Sequence, residues 1–351
     1  MGNMEMQPKD RKWLRAWFIS GAVLVTLILI VGGITRLTGS GLSMTDWKPI
    51  LGAIPPITDA QWNDAFDQYK QFPEYQQINR GMELSEFKYI FFWEYLHRML
   101  GRLTGVVFLL PFLYFVAKKK LNAKWLRRSI WLLILGGSQG LMGWYMVQSG
   151  LVDVPYVNPY RLTAHLMLAF TIFAFCVWYA ADLTRFNSQS EPRKRELSRW
   201  LKIMFGVVVV QVAWGALVAG LDAGHVYNTF PKMYQYWVPP EIMALEPWYQ
   251  NFTENSSTVQ FIHRSLAALI GLMAIGYWVR LFTVPTSKSA KLWGGIIFAL
   301  VLVQYTLGVF TLITHVQVSL AVLHQFVALL LVGTILVGIY SIGQNRVQTT
   351  L

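Results

Sequence analysis

Glu94-Tyr95-Leu96-His97-Arg98-Met99-Leu100-Gly101-Arg102-Leu103-Thr104-Gly105 returns 166 positions later as Gln260-Phe261-Ile262-His263-Arg264-Ser265-Leu266-Ala267-Ala268-Leu269-Ile270-Gly271. Each block opens a long apolar run. A second pair, Thr163-Ala164-His165-Leu166 and Val322-Leu323-His324-Gln325, recurs 159 positions apart, and Gly33 through Ser40-Gly41 resembles Gly215 through Ala223-Gly224. The chain therefore reads as two related halves, residues 1–190 and 191–351, each contributing four apolar runs in a parallel repeat.

The runs lie near 15–37, 89–117, 126–148, 160–182, 200–221, 258–281, 291–313 and 316–341, with the boundary around Thr314–Gln317 the least defined. Each has about the 20 residues that a helix needs to cross a bilayer. With 54% hydrophobic and 14% charged residues, the expected fold is all-α: a polytopic membrane protein of eight transmembrane helices in two pseudo-symmetric four-helix bundles.

The net charge of +12 does not point to nucleic acid, because the basic residues are sorted by loop. Lys9, Arg11, Lys12 and Arg15 lie in the N-terminal tail, and Lys118, Lys119, Lys120, Lys124, Arg127 and Arg128 follow the second run. Arg185, Arg193, Lys194, Arg195, Arg199 and Lys202 follow the fourth, Arg280, Lys288 and Lys291 the sixth, and Arg346 the eighth. Twelve of the 18 acidic residues occupy the opposite loops. The positive-inside rule then places both termini in the cytoplasm or its equivalent. The first run is too long for a signal peptide and reads as a retained helix, and the lack of an Arg- and Ser-rich transit segment favours a bacterial inner membrane. Cys176, the sole cysteine, lies in an apolar run, so no intramolecular disulfide braces the outer loops.

His97, His165, His263 and His324 each stand one to three turns inside the outer end of an inward-running span, hence at one depth. Intramembrane histidines are costly and mark function or interhelical hydrogen bonding. Two per half, on two helices, suit the clamping of a heme iron by paired imidazoles. Gly101 and Gly105 follow His97 on its own face, and Ala267 and Gly271 follow His263, leaving room for a flat macrocycle. Zinc would want a tighter cluster with thiolates or carboxylates. His225 and His315 fall in outer loops and read as solvated or structural.

Arg98 and Arg264, beside two of the histidines, can fork onto a heme propionate or snorkel to the interface. Arg36, Lys48 and Arg161 are positional alternatives. The halves differ at one place: Glu94 stands three residues before His97, whereas its counterpart is the neutral Gln260. Glu94 can move a proton or simply pair with Arg98 or Arg102; Gln260 can do neither. The N-terminal half thus reads as a reaction site and the C-terminal half as a permanent electron-carrying cofactor site. In the first outer loop, Thr58-Asp59-Ala60-Gln61 has capping-box form, with Trp62, Phe66 and Tyr69 at helical spacing and Pro73 as a stop. Such a helix can lie in the lipid interface or cover the site. The aromatic loop from Tyr227 to Tyr249 reads mainly as an interfacial belt.

Gly32-Gly33-Ile34-Thr35-Arg36-Leu37-Thr38-Gly39-Ser40-Gly41-Leu42-Ser43, Asp46-Trp47-Lys48-Pro49, Gly52-Ala53-Ile54-Pro55-Pro56 and Phe91-Phe92-Trp93-Glu94-Tyr95-Leu96-His97-Arg98 together resemble the heme A synthase family, over roughly residues 13–341. The lack of a cysteine pair in the first outer loop matches the mitochondrial and proteobacterial-like branch. The resemblance implies that heme O is the substrate and that its C8 methyl group is oxidised stepwise to a formyl group, giving heme A for cytochrome c oxidase. It implies that His263 and His324, with Arg264 nearby, hold the iron of a heme b cofactor. It implies that His97 and His165 flank the iron of the substrate heme, with Arg98 beside them, and that Glu94 is the acidic catalytic position. Heme O synthase, oxidase-assembly proteins and an electron-transfer partner are implied associates. Residue spacing alone leaves two other classes open, a diheme b-type electron carrier and a heme transporter or chaperone.

Overall fold

Thirty residues from Pro8 to Leu37 form the first helix, α1, with proline where its missing N–H costs nothing. The computed structural model describes residues 6–45, 51–151, 154–184 and 193–343. Lys48, Arg185, Arg346 and the 190/191 boundary between the halves lie outside them. Helices α2 (Asp59–Tyr69) and α3 (Pro73–Gln77) follow in the first outer loop, then α4 (Leu84–Ala117), α5 (Ala123–Gln148) and α6 (Pro159–Asp182). Continuing along the chain are α7 (Lys194–Gly220), α8 (Ser256–Thr283), α9 (Lys288–Ile313) and α10 (Val318–Gly343). Eight of these are long and apolar enough to span a bilayer, and the protein is a multi-pass, all-α membrane protein.

Helices α1, α4 and α7 begin at Pro8, Leu84 and Lys194, five to seven residues before the apolar runs suggest. Hydropathy marks the hydrocarbon, whereas backbone hydrogen bonding continues into the interface. Side chains cap several starts: Asn122 receives the Trp125 N–H, Asn255 that of Thr258 and Ser287 that of Ala290. Lipid-facing rows such as Val106, Leu109, Leu110 and Leu113 on α4 are exposed apolar residues, as a membrane helix requires.

Two compact units emerge, one of residues 1–13 and Ser20–Ile172, the other of Leu14–Ile19 and Phe173–Leu351. In the first, Lys120 pairs with Asp10 at 2.6 Å. In the second, Leu197, Leu201, Met204, Tyr277, Leu281 and Ile297 are fully buried, and Arg280 meets Glu196 at 2.5 Å.

The repeat extends to backbone conformation. α1 ends on a left-handed Gly39 (φ 61°), with Ser40 N–H donating to Thr35 O at 2.8 Å in the six-to-one manner of a Schellman cap. Asp222, 183 positions on, is also left-handed (φ 48°) after α7. The uncertain stretch before the last span is a tight reversal. α9 ends at Ile313, His315 and Val316 are both left-handed, and Val316 N–H returns to Thr311 O at 2.8 Å. A β-branched residue there is strained and is held by that return bond.

Candidate functional site

The first outer loop builds one wall, by packing α2 on α4. Thr58 caps α2 by accepting from Gln61 N–H, while the Gln61 side chain accepts from Thr58 N–H. α2 stops at Tyr69 and Pro73 starts α3 rather than ending α2, a difference from the sequence expectation that follows from proline's fitness for a first helical turn. The apolar face of α2 does not lie open to lipid: Phe66 and Tyr69 are buried against Phe87, Ile90 and Phe91 of α4, and Trp62 meets Phe91 edge-on at 5.1 Å.

Beneath this cluster lies a buried carboxyl, Glu74, which accepts from the Tyr69 hydroxyl at 3.0 Å, while Asn79 donates to that hydroxyl at 2.7 Å. Burial pushes Glu74 up to about 7, the Tyr69 bond works against this, and the charge of Glu94 adds to it. The cover is therefore close enough to Glu94 to feel its charge. With the folded value above the ordinary one, the protonated form stabilises the cover at low pH. That stability is complete below about 4.5 and is lost as pH rises through about 7, a span worth on the order of 3 kcal/mol. Hydrogen-exchange protection of residues 59–77, corrected for intrinsic rates, is expected to fall between pH 5 and 8, and Glu74→Gln to flatten the profile.

Glu94 is 3% exposed, and three donors converge on it. The Ser43 hydroxyl donates at 2.7 Å, the Met44 N–H at 2.8 Å and the Arg98 guanidinium at 2.5 Å. Arg98 also donates to Met44 O at 2.8 Å. Glu94 thus ties the chain after α1 to α4, and the pairing with Arg98 weighed at the sequence level is present. Gln260, 2% exposed, does the equivalent job with opposite polarity, donating to Ala223 O at 2.9 Å and Tyr227 O at 3.2 Å. Arg264 donates through one nitrogen to Thr229 O, Pro231 O and Lys232 O, and its other terminal nitrogen is buried with no hydrogen-bond partner among the described residues.

The four histidines fall into pairs, one pair per unit. His97 of α4 is in electrostatic reach of His165 of α6, and His263 of α8 of His324 of α10. His165, His263 and His324 stand six or seven residues inside their helices, as expected; His97 stands thirteen inside, because α4 begins early to carry the α2 cover. Each ring lies on a glycine of the preceding long helix. A carbon added at Gly143, Gly215 or Gly308 would stand 3.1, 3.0 and 3.0 Å from the Cε1 of His165, His263 and His324, and one at Gly32 only 2.9 Å from His97 Nε2. Gly32, not Gly33, is therefore the counterpart of Gly215, at the spacing of 183 that also relates Gly39 to Asp222. One turn before three of these glycines a glutamine amide nitrogen lies 3.3 Å from the ring Nε2: Gln139 at His165, Gln211 at His263 and Gln304 at His324.

Sequence reading missed these glutamines, although the signal Gln-x-x-x-Gly recurs in α5, α7 and α9. The Nδ1 atoms of His165, His263 and His324 are buried with no hydrogen-bond partner among the described residues. Buried imidazole nitrogens are seldom left so unless something else binds there. Nothing within 4 Å would meet a carbon added at Gly101, Gly105 or Gly271, so open space fronts the histidine-bearing faces. Paired imidazoles with that space fit an iron porphyrin better than zinc, and no cluster of three or more metal-ligating side chains is found among the described residues. Arg161 is engaged elsewhere, donating to Tyr145 O at 2.8 Å and lying over the Tyr145 ring, and His225 and His315 are exposed.

Residues 15–336 match the model of a family described as cytochrome oxidase assembly protein. The chain belongs to this family. Among its relatives, the heme A synthase of Nitrosospira multiformis is 44% identical over 323 residues, 92% of this chain and 91% of that one. The heme A synthase of Nitrosomonas eutropha is 45% identical over 318 residues (90% and 89%), and that of Flavobacterium psychrophilum 41% over 334 (93% and 97%). The motif around Thr35–Ser43 ties the end of α1 to α4. Thr35 donates to Trp93 O at 3.2 Å, Thr38 and Ser40 share a hydrogen bond at 2.6 Å, and Ser43 reaches Glu94.

Proposed function

We propose that this protein is a heme A synthase, an oxidoreductase that converts the C8 methyl group of heme O to a formyl group, giving heme A for cytochrome c oxidase. The observation that carries the reading is the doubled pair of half-buried imidazoles with, among the described residues, a carboxylate beside one pair, in a chain covering nine-tenths of its heme A synthase relatives. The N-terminal half, to about residue 190, takes the substrate heme between His97 and His165; the C-terminal half, from about residue 191, holds heme b between His263 and His324. When bound, heme b supplies one-electron transfer.

The chain's own residues do the rest. Arg264 has a buried nitrogen free for a propionate, whereas Arg98 is committed to Glu94 and Met44 and acts on the substrate side by fixing that carboxylate. Glu94, held in place by the Ser43 hydroxyl, is the acceptor for protons released as the methyl group is oxidised. The α2 cover limits water above Glu94. Sorted loop charges support a bacterial inner membrane with both termini cytoplasmic and the heme sites toward the periplasm. Heme O synthase, oxidase-assembly proteins and an electron-transfer partner are the expected associates.

Expression with a source of heme O and extraction of pigments tests the reaction. Heme A is the expected product. Recovery of unmodified heme alone would instead favour an electron carrier or, if the heme exchanges freely, a transporter. Geometry gives a second test. A side chain at Gly308 must push into His324, so Gly308→Val is expected to lower the resident heme absorbance at unchanged protein level, and Gly206→Val, facing open space on α7, to leave it intact.

A further inference from the structure

The two heme sites differ a second time, independently of Glu94. Three imidazoles are gripped on two sides, by a glutamine amide at 3.3 Å and by a glycine one turn further along the same helix. Among the described residues, the fourth lacks the amide. The place in α1 that corresponds to Gln211 in α7, 183 positions earlier, is Ile28, whose aliphatic side chain offers His97 no hydrogen bond. Both histidines of the C-terminal unit are therefore tethered, against only one of two in the N-terminal unit.

We propose that Gln139, Gln211 and Gln304 are positioning residues that fix their imidazoles, and that Ile28 leaves His97 as the loose jaw by which a porphyrin enters and leaves the N-terminal site. The inference rests on the reading of the two pairs as substrate and cofactor sites. An enzyme whose substrate and product are both iron porphyrins must let one go on every turnover while never losing the other. With the glutamine amide turned so that its oxygen accepts the Nε2 proton, the Nδ1 lone pair stays free for iron; the tethered imidazole has then surrendered its ring rotation before the iron arrives, so it binds at lower entropic cost and its ligand bond, once broken, re-forms in place. An untethered ring can turn aside, and the ligand bond at His97 then opens without breaking any side-chain hydrogen bond.

The full-length protein, loaded with heme in both sites, is mixed with excess apomyoglobin and heme transfer followed by absorbance. The expected course is a fast phase from the N-terminal site and a slow phase from the C-terminal one. Ile28→Gln is expected to slow the fast phase about tenfold, and Gln211→Met or Gln304→Met to speed the slow phase about tenfold while shifting the low-spin EPR g-values of the resident heme. Should Ile28→Gln fail to accumulate, Gln139→Ile must speed the fast phase. Unchanged rates in Ile28→Gln, in Gln139→Ile or in both C-terminal variants overturn the proposal. His324→Ala separates this from failure of the underlying reading: it must abolish the slow phase, and a chain that keeps both phases shows the heme pairs to be wrongly assigned.

Discussion

Glu94→Gln is expected to cut heme A formation at least about a hundredfold while leaving the resident heme spectrum unchanged. The substitution preserves shape but replaces an acceptor-only group with an amide, and all three neighbours that converge on Glu94 are donors, so the new NH2 must face one of them. The partly buried Arg98 loses its counter-charge, which costs on the order of 3 kcal/mol locally. Part of any loss could then come from the chain after α1 lifting off α4, not from a missing proton acceptor. Ser43→Ala separates the two, because it removes one docking bond and leaves the carboxylate. A loss of a few-fold there beside a hundredfold in Glu94→Gln assigns the large effect to the charge. Equal losses would make Glu94 a structural clasp, and more than half the activity surviving in Glu94→Gln would remove it from the reaction.

The eight spans and their duplication are legible in the sequence because hydrocarbon imposes one requirement at every span, an apolar length with its backbone bonds closed. Loop order and helix ends yield less. Pro73 reads as a stop but acts as a start, since proline is unfavourable inside a helix and favourable at its first turn, and only the tertiary fit of Tyr69 against Phe87 decides which applies. At the site, the repeat exposes the histidines because costly polar residues stand out in an apolar run. Gln139, Gln211 and Gln304 hide in the same runs, since one amide per span resembles an ordinary interhelical contact until a partner ring is placed 3.3 Å away. Glu94 against Gln260 is visible as an asymmetry, yet the reversal of hydrogen-bond polarity behind it is not, because the loop atoms involved are backbone groups without sequence identity.

His263→Ala and His324→Ala are each expected to yield protein with no stably bound resident heme and no detectable heme A. Each removes one of two imidazoles from the C-terminal pair and leaves the other tethered to its glutamine, so the iron keeps a single protein ligand from the pair. The fold should tolerate the change, because the helices are held by their own hydrogen bonds and by apolar packing through the fully buried Leu201, Met204 and Ile297. The space vacated by the ring lies against Gly215 or Gly308, where no side chain intrudes, so free imidazole can diffuse into it. Added imidazole is therefore expected to restore a low-spin heme spectrum in either variant, and electron delivery with it if ligation is all the histidine provides. Restored spectra without restored heme A would mean that orientation of the ring, and not ligation alone, sets electron transfer. A variant that purifies with its full heme complement in the absence of imidazole would place the cofactor elsewhere in the chain.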